Sequence, residues 1–279
     1  MSDSTPKGGD GRHHVDSFLA RESLMDRDLI ADTDKQPPVV KMLPDARVVK
    51  IGGRSVFDRG REILYPLSEA LGEALETRKL ILGTGGGVRS RHVFSVGLDL
   101  GLPTGVLAQL ALADALGNAH ILGTLLAPYG VVAIPPEIFG HLLPLFVAAA
   151  PGVIFNGDPP YTLWEHPPGV GRIPPHRTDA GSYLTAECFG AQTFTLVKDV
   201  DGLYTADPET DPSAELIREI TVGEIRERGI ETLPFDEVLL DLLPKGRLVR
   251  SFQIINGAKP ELLIPALDGE HVGTMIHAD

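Results

Sequence analysis

Cysteine is almost missing from this chain, with one residue, Cys188, in 279. A single thiol cannot close an internal disulfide, and a zinc site built on cysteines is excluded. That usage suits a reducing cytoplasm. Aromatic residues are scarce as well, at 6% against 43% hydrophobic residues overall. The core must therefore be mostly aliphatic, as in a sheet covered by helices on both faces. Positive charge is outnumbered, with 25 Lys and Arg against 38 Asp and Glu and a net charge of −13. A surface of that sign disfavours nucleic acid, which requires basic density, and anionic membranes. An anionic small ligand has to be caught locally, by backbone amides or by a few Lys and Arg. The opening stretch, MSDSTPKGGDGRHHVDSF, lacks the apolar segment of a secretory signal. The most apolar region, about residues 121–155, is interrupted by Pro128, Pro135, Pro136, Pro144 and Pro151, so that region lacks an unbroken run of about 20 apolar residues and a spanning helix is not expected there.

What is present is an alternation of short aliphatic runs and helical periodicity. Residues 1–40 are polar and punctuated by Gly and Pro, and read as an arm that is either disordered or packed on a neighbouring subunit. From Ala46 onward, strands are expected at 48–51, 80–82, 131–134, 153–155, 194–197, 252–255 and 272–276. Helices are expected at about 60–77, from Val88 to Val96, at 105–127, 178–189, 221–229, 236–248 and 262–267, with a Pro/Gly-rich loop over 156–177. The alternation implies an α/β fold with a mainly parallel sheet covered on both faces.

Four segments could carry chemistry. Lys50-Ile51-Gly52-Gly53 ends the first strand, and Gly83-Thr84-Gly85-Gly86-Gly87 ends the second and opens a helix. Glycines at such places let backbone N–H groups approach an anion, and a helix N-terminus favours it further. Neither loop is a Walker P-loop, and G-x-G-x-x-G fails at Val88. Asp199, Asp201 and Asp207, with Lys198, cluster after a later strand, in Lys198-Asp199-Val200-Asp201-Gly202-Leu203-Tyr204-Thr205-Ala206-Asp207-Pro208. They suit a metal ion, a ribose or a base edge, or a plain hairpin turn. In Arg177-Thr178-Asp179-Ala180-Gly181, Thr178 or Asp179 caps a helix, or Asp179 is a buried carboxylate that orients Lys50.

Taken together and in this order, K-I-G-G, G-T-G-G-G, R-T-D-A-G and D-V-D-G-L-Y-T-A-D-P resemble the nucleotide loops of the amino-acid-kinase superfamily over about residues 46–277. Longer stretches resemble the uridylate-kinase-like subunits of bacterial molybdenum storage proteins: Leu43 to Asp45, Arg91 to Pro103, Pro159 to Tyr161, Ile173 to Gly181 and Gly269 to Thr274. The resemblance implies a three-layer αβα sandwich over 41–279, with an acceptor or cavity lobe at about 41–172 and a nucleotide lobe at about 173–279. It implies a homo- or hetero-hexamer around a cavity, Mg²⁺ and ATP in each nucleotide cleft, and molybdate or tungstate stored as oxide clusters, with ATP hydrolysis driving uptake. By position, Lys50, Gly52, Gly53, Gly85, Gly86 and Gly87 would hold the triphosphate, Asp179 would orient Lys50, and Lys198, Asp199, Asp201, Gly202, Tyr204 and Asp207 would line the ribose, base and metal region. Glu137, His141, His166 and His176 are the candidate cargo contacts.

There are two departures. Thr162-Leu163-Trp164-Glu165-His166 stands where one storage subunit type has a histidine run, and Lys198 stands where that type has a carboxylate suited to Mg²⁺. The alternatives are a UMP-kinase-like phosphotransferase, with Arg89, Arg91 and Arg177 gripping an acceptor phosphate, and a non-catalytic cage subunit that only binds nucleotide.

Overall fold

The computed structural model describes residues 40–157 and 173–279. The arm expected over 1–40 lies, but for Val40, outside the described residues, as do His13, His14 and His166. In chain order the elements are β1 (Ala46–Ile51), α1 (Arg61–Leu75), β2 (Lys79–Thr84), α2 (Gly87–Asp99), α3 (Thr104–Leu126), β3 (Val132–Ala133), α4 (Pro136–Ala149) and β4 (Gly152–Phe155). After residue 172 come α5 (Thr178–Phe189), β5 (Thr193–Lys198), the small ribbon β6 (Leu203–Tyr204) and β7 (Leu216–Ile217), β8 (Glu219–Thr221), α6 (Val222–Glu227), α7 (Leu239–Leu242), β9 (Ser251–Asn256), α8 (Leu263–Leu267) and β10 (Thr274–His277).

Eight strands form one sheet in the order β3-β4-β2-β1-β5-β9-β10-β8. The first six run parallel, β10 turns antiparallel to β9, and β8 joins β10 in parallel. The central runs are apolar without alternation because both faces are covered. One face carries Ala46, Val48, Ile81, Val153, Phe194 and Leu196, packed with α4, α5, α6 and α7. The other carries Val49, Ile51, Leu80, Leu82 and Val197, under α1, α3 and α8. The result is the expected αβα sandwich with an aliphatic core.

Helix α4 has no counterpart among the expected helices. Pro136 falls at its first position, where the missing N–H costs nothing, but Pro144 lies inside it. Burial of Phe139, Leu143 and Val147 on the sheet holds the helix across that interruption. The helix expected over 236–248 shortens to α7 followed by the 3-10 turn Leu243–Lys245, with Pro244 inside the turn. Helix α3 is long and apolar enough to cross a membrane by length and composition alone. Its Leu107, Ala111, Ala115, Ala119, Leu122 and Leu126 nevertheless recur at helical spacing as a buried stripe.

Glu187 pins the turn after α7 to α5. Its carboxylate accepts from the backbone N–H groups of Arg247 at 2.6 Å, Leu248 at 3.0 Å and Val249 at 2.7 Å. Glu187→Ala leaves three donors without this acceptor, and the expected loss is about 3 kcal/mol in urea unfolding. Glu187→Gln, which keeps one acceptor oxygen, is expected to lose less.

Candidate functional site

Strand parity builds the site. Lys50 shares a face of β1 with Ala46 and Val48, and Lys198 shares a face of β5 with Phe194 and Leu196. The two strands are parallel neighbours, with Lys50 opposite Leu196, so both lysines sit near the carboxyl edge of the sheet, where ligands bind in such folds. Both face α5, whose first turn supplies Asp179. Lys50 Nζ lies 2.6 Å from Asp179 Oδ1, and Lys198 Nζ donates to Oδ2 at 2.7 Å. Lys50, Lys198 and Asp179 are 4%, 7% and 3% exposed.

A second buried carboxylate completes the cluster. Asp236 Oδ2 accepts from the N–H groups of Asp179 at 3.1 Å and Ala180 at 3.3 Å, and its own N–H donates to Asp179 Oδ2 at 3.2 Å. Its Oδ1 pairs with Arg177 Nη2 at 2.8 Å. The start of α5 is therefore capped from 57 residues away, and not by Thr178 or Asp179 as the local pattern suggests. Asp179 instead spends its carboxylate on the two lysines.

Burial opposes ionisation of Asp179, but Lys198 and then Lys50 overcome it and hold the carboxyl far below the usual carboxylate range. Burial, aided by Lys50, pushes Lys198 down against the pull of Asp179. Burial and the neighbouring Asp179 push Asp236 up against Arg177. Three cations against two carboxylates leave the cluster formally positive inside a chain of net charge −13.

The two glycine loops meet backbone to backbone. A Cβ on Gly53 would lie 2.7 Å from the carbonyl carbon of Gly85, and one on Gly85 would lie 3.0 Å from Lys50 Nζ. Only glycine permits that approach. The N–H groups of Gly52 and Gly85 are spent on the carbonyls of Val197 and Ile51, which ties the loops to the strands. The helix start expected to offer free N–H groups is partly filled from within, because Asp58 Oδ2 accepts the N–H of Val88 at 2.8 Å.

These groups open onto a cleft of about 870 Å³. Lys50, Gly52, Gly53, Gly85, Gly86, Gly87, Asp179, Lys198, Asp199, Gly202, Tyr204 and Asp207 all line it, as do Glu137, His141 and His176. Glu137 and His141 are one turn apart on α4. Asp201 does not line the cleft. Its carboxylate is committed to Asn256 at 2.9 Å and Lys259 at 2.7 Å, and Lys259 holds it below the usual range. Arg89 bonds to Asn118 on α3, whereas Arg91 and Arg177 line the cleft together with Arg54. Partial burial, then Arg54 and Arg177, lower the Arg91 pKa.

Asp236, Arg54 and Arg59 are cleft residues that no motif singles out. Arg59 pairs with Asp199 Oδ2 at 2.8 Å. A magnesium ion bound beside nucleotide phosphates needs only one or two carboxylates, and Asp207 lines the cleft. Asp179, Asp199 and Asp236 are each paired with a cation, and among the described residues no three His, Cys, Asp or Glu converge on one point.

Comparison with known proteins bears on this geometry. The amino acid kinase family model matches residues 45–250. The chain is 45% identical over 267 residues to the molybdenum storage protein subunit beta of Azotobacter vinelandii, covering 95% of this chain and 97% of that protein. It is 30% identical to the uridylate kinase of Thermofilum pendens, covering 83% of this chain and 97% of that enzyme. Among solved structures, the uridylate kinase of Archaeoglobus fulgidus superposes with a TM-score of 0.65 at 24% identity, covering 82% of this chain and 99% of that one. The chain belongs to the amino acid kinase family, and the molybdenum storage subunit and the uridylate kinases are its relatives there.

Proposed function

We propose that this chain is a storage subunit that binds ATP in the cleft and uses its hydrolysis to take up molybdate or tungstate, held as oxide clusters inside an oligomeric cage. The observation that carries the reading is the Lys50–Asp179–Lys198 cluster beneath two glycine loops, in a chain 45% identical to a molybdenum storage subunit. Two buried ammonium groups that share one carboxylate keep N–H donors to spare, since each carries three. They suit the negative charge that grows on the terminal phosphate as it passes to water. Gly53 and Gly85 let the polyphosphate approach this pair. Lys198, Asp199, Gly202, Tyr204 and Asp207 line the sugar and base end, and Mg²⁺ enters as the counter-ion of the nucleotide's own phosphates.

In the same cleft, Glu137, His141 and His176 are the cargo contacts of this reading. They would hold an oxyanion or oxide surface through N and O groups, consistent with the single cysteine. Assembly into a hexamer of similar subunits accords with exposed apolar side chains on α2, α3 and α4, among them Val96, Leu110 and Leu145, and with the subunit status of the relative. The reading retains an acceptor lobe over about 41–172, a nucleotide lobe over about 173–279 and a cytoplasmic location.

The test is to incubate the purified protein with Mg·ATP and molybdate, desalt it and measure molybdenum per chain. Many metal atoms per chain are expected, and their dependence on hydrolysable ATP is part of the expectation. Substoichiometric metal would sink the storage reading. A second reading, phosphoryl transfer to UMP or a similar monophosphate, is favoured by Arg54, Arg91 and Arg177 in the same cleft. UMP-dependent ADP release well above the rate with water alone would establish it.

A further inference from the structure

Arg59 closes the short turn Phe57–Arg59 that follows the first glycine loop, and it lines the cleft. Its guanidinium reaches the loop after β5 and pairs with Asp199, the residue next to Lys198. The pair therefore bridges the two loops, and both residues line the cleft that Lys50 and Lys198 also line. Its side chains are 53% and 21% exposed. So exposed an ion pair contributes little to stability, and it is readily exchanged for a stronger partner. A terminal phosphate is such a partner, because it offers several charged oxygens to a planar fork of N–H donors. Lys50 and Lys198 are fixed by Asp179 on the buried side of the cleft, whereas Arg59, one of four cleft arginines with Arg54, Arg91 and Arg177, is the one that reaches across to the loop after β5 through a solvated contact.

We propose that Arg59 leaves Asp199 when nucleotide enters and binds the terminal phosphate, as an arginine finger supplied by the same chain. The inference rests on the reading of the cleft as an ATP site. In the step it serves, a water oxygen bonds to the γ-phosphorus as the bond from that phosphorus to the β,γ-bridging oxygen breaks. The bonding pair stays on ADP, one proton of the water passes to solvent, and the other leaves on inorganic phosphate. The guanidinium compensates the charge that grows on the γ-phosphoryl oxygens.

The test measures ATP and ADP affinity by calorimetry for the unaltered protein and for Arg59→Ala. ATP binding is expected to weaken at least 10-fold and ADP binding less than 2-fold, with the unfolding midpoint of the ligand-free protein unchanged. The turnover number for ATP hydrolysis is expected to fall about 10²- to 10³-fold. Arg59→Lys, which can still pair with Asp199 but lacks the fork, is expected to recover only part of the ATP preference. Equal losses for ATP and ADP, or no loss for either, would overturn the proposal. Failure of the unaltered protein to bind any nucleotide would overturn the ATP reading itself.

Discussion

Asp179→Ala is expected to lower the unfolding midpoint by roughly 10 °C, the counterpart of about 3–5 kcal/mol for a domain of this size. The substitution leaves the buried ammonium groups of Lys50 and Lys198 together without the carboxylate that both contact, at 2.6 and 2.7 Å. It also removes the acceptor of the Asp236 N–H, which lies 3.2 Å away. Asp179→Asn, which keeps the shape and one acceptor oxygen, is expected to fall between the two proteins.

The pH dependence follows from the direction of the shift. Asp179 is held well below the ordinary carboxylate range in the fold, so the unfolded chain binds its proton more tightly. Its stabilising effect is complete above the unfolded value near pH ~3.9 and is lost as pH falls below that towards the folded value. Asp236 is shifted the other way, so its ionisation costs stability as pH rises from the unfolded value through the raised folded one. Urea titrations between about pH 2.5 and pH 6 separate the two. Asp179→Asn is expected to flatten the loss below pH ~4, and Asp236→Asn to remove the decline above it. A midpoint for Asp179→Ala within 2 °C of the unaltered protein would show that the two lysines do not depend on this carboxylate.

The parts of the fold that announce themselves in the sequence are those whose cause is local. β1, β2, β4 and β5 are aliphatic runs, and two of them end at glycine pairs or triplets. Helix α4 is concealed because prolines at 136 and 144 imitate a loop, while what holds it, a row of Phe139, Leu143 and Val147 against the sheet, is tertiary. The site divides in the same way. Lys50, Lys198 and the glycine loops sit at strand ends, where motif and position coincide. Asp236 acts on α5 from 57 residues away, and Arg59 meets Asp199 across 140. No local pattern marks either residue. Asp201 and Asp58 show the converse. Asp201 belongs to a motif that suits a ligand, yet Lys259 and Asn256 take its carboxylate. Asp58 fills a helix start that its glycines make inviting to an anion.

Lys50→Ala is expected to reduce ATP hydrolysis, and the molybdenum uptake proposed to depend on it, about 10²- to 10³-fold while leaving the fold in place. The two lysines share one carboxylate, so losing Lys50 still leaves Asp179 paired with Lys198. It also removes the repulsion by which Lys50 depresses the Lys198 charge. The structural penalties therefore partly cancel, in contrast to Asp179→Ala, where both cations lose their partner at once. No such cancellation operates on the ligand. Lys50 is the ammonium that Gly85 approaches most closely, so in the proposed ATP site its loss removes a fixed charge from beside the glycine loops. Unfolding midpoints, steady-state ADP release and molybdenum per chain, measured on the same preparations, separate the two kinds of effect. A Lys50→Ala protein that unfolds like the original but hydrolyses ATP at more than about a tenth of its rate would remove Lys50 from the chemistry and leave it a structural partner of Asp179.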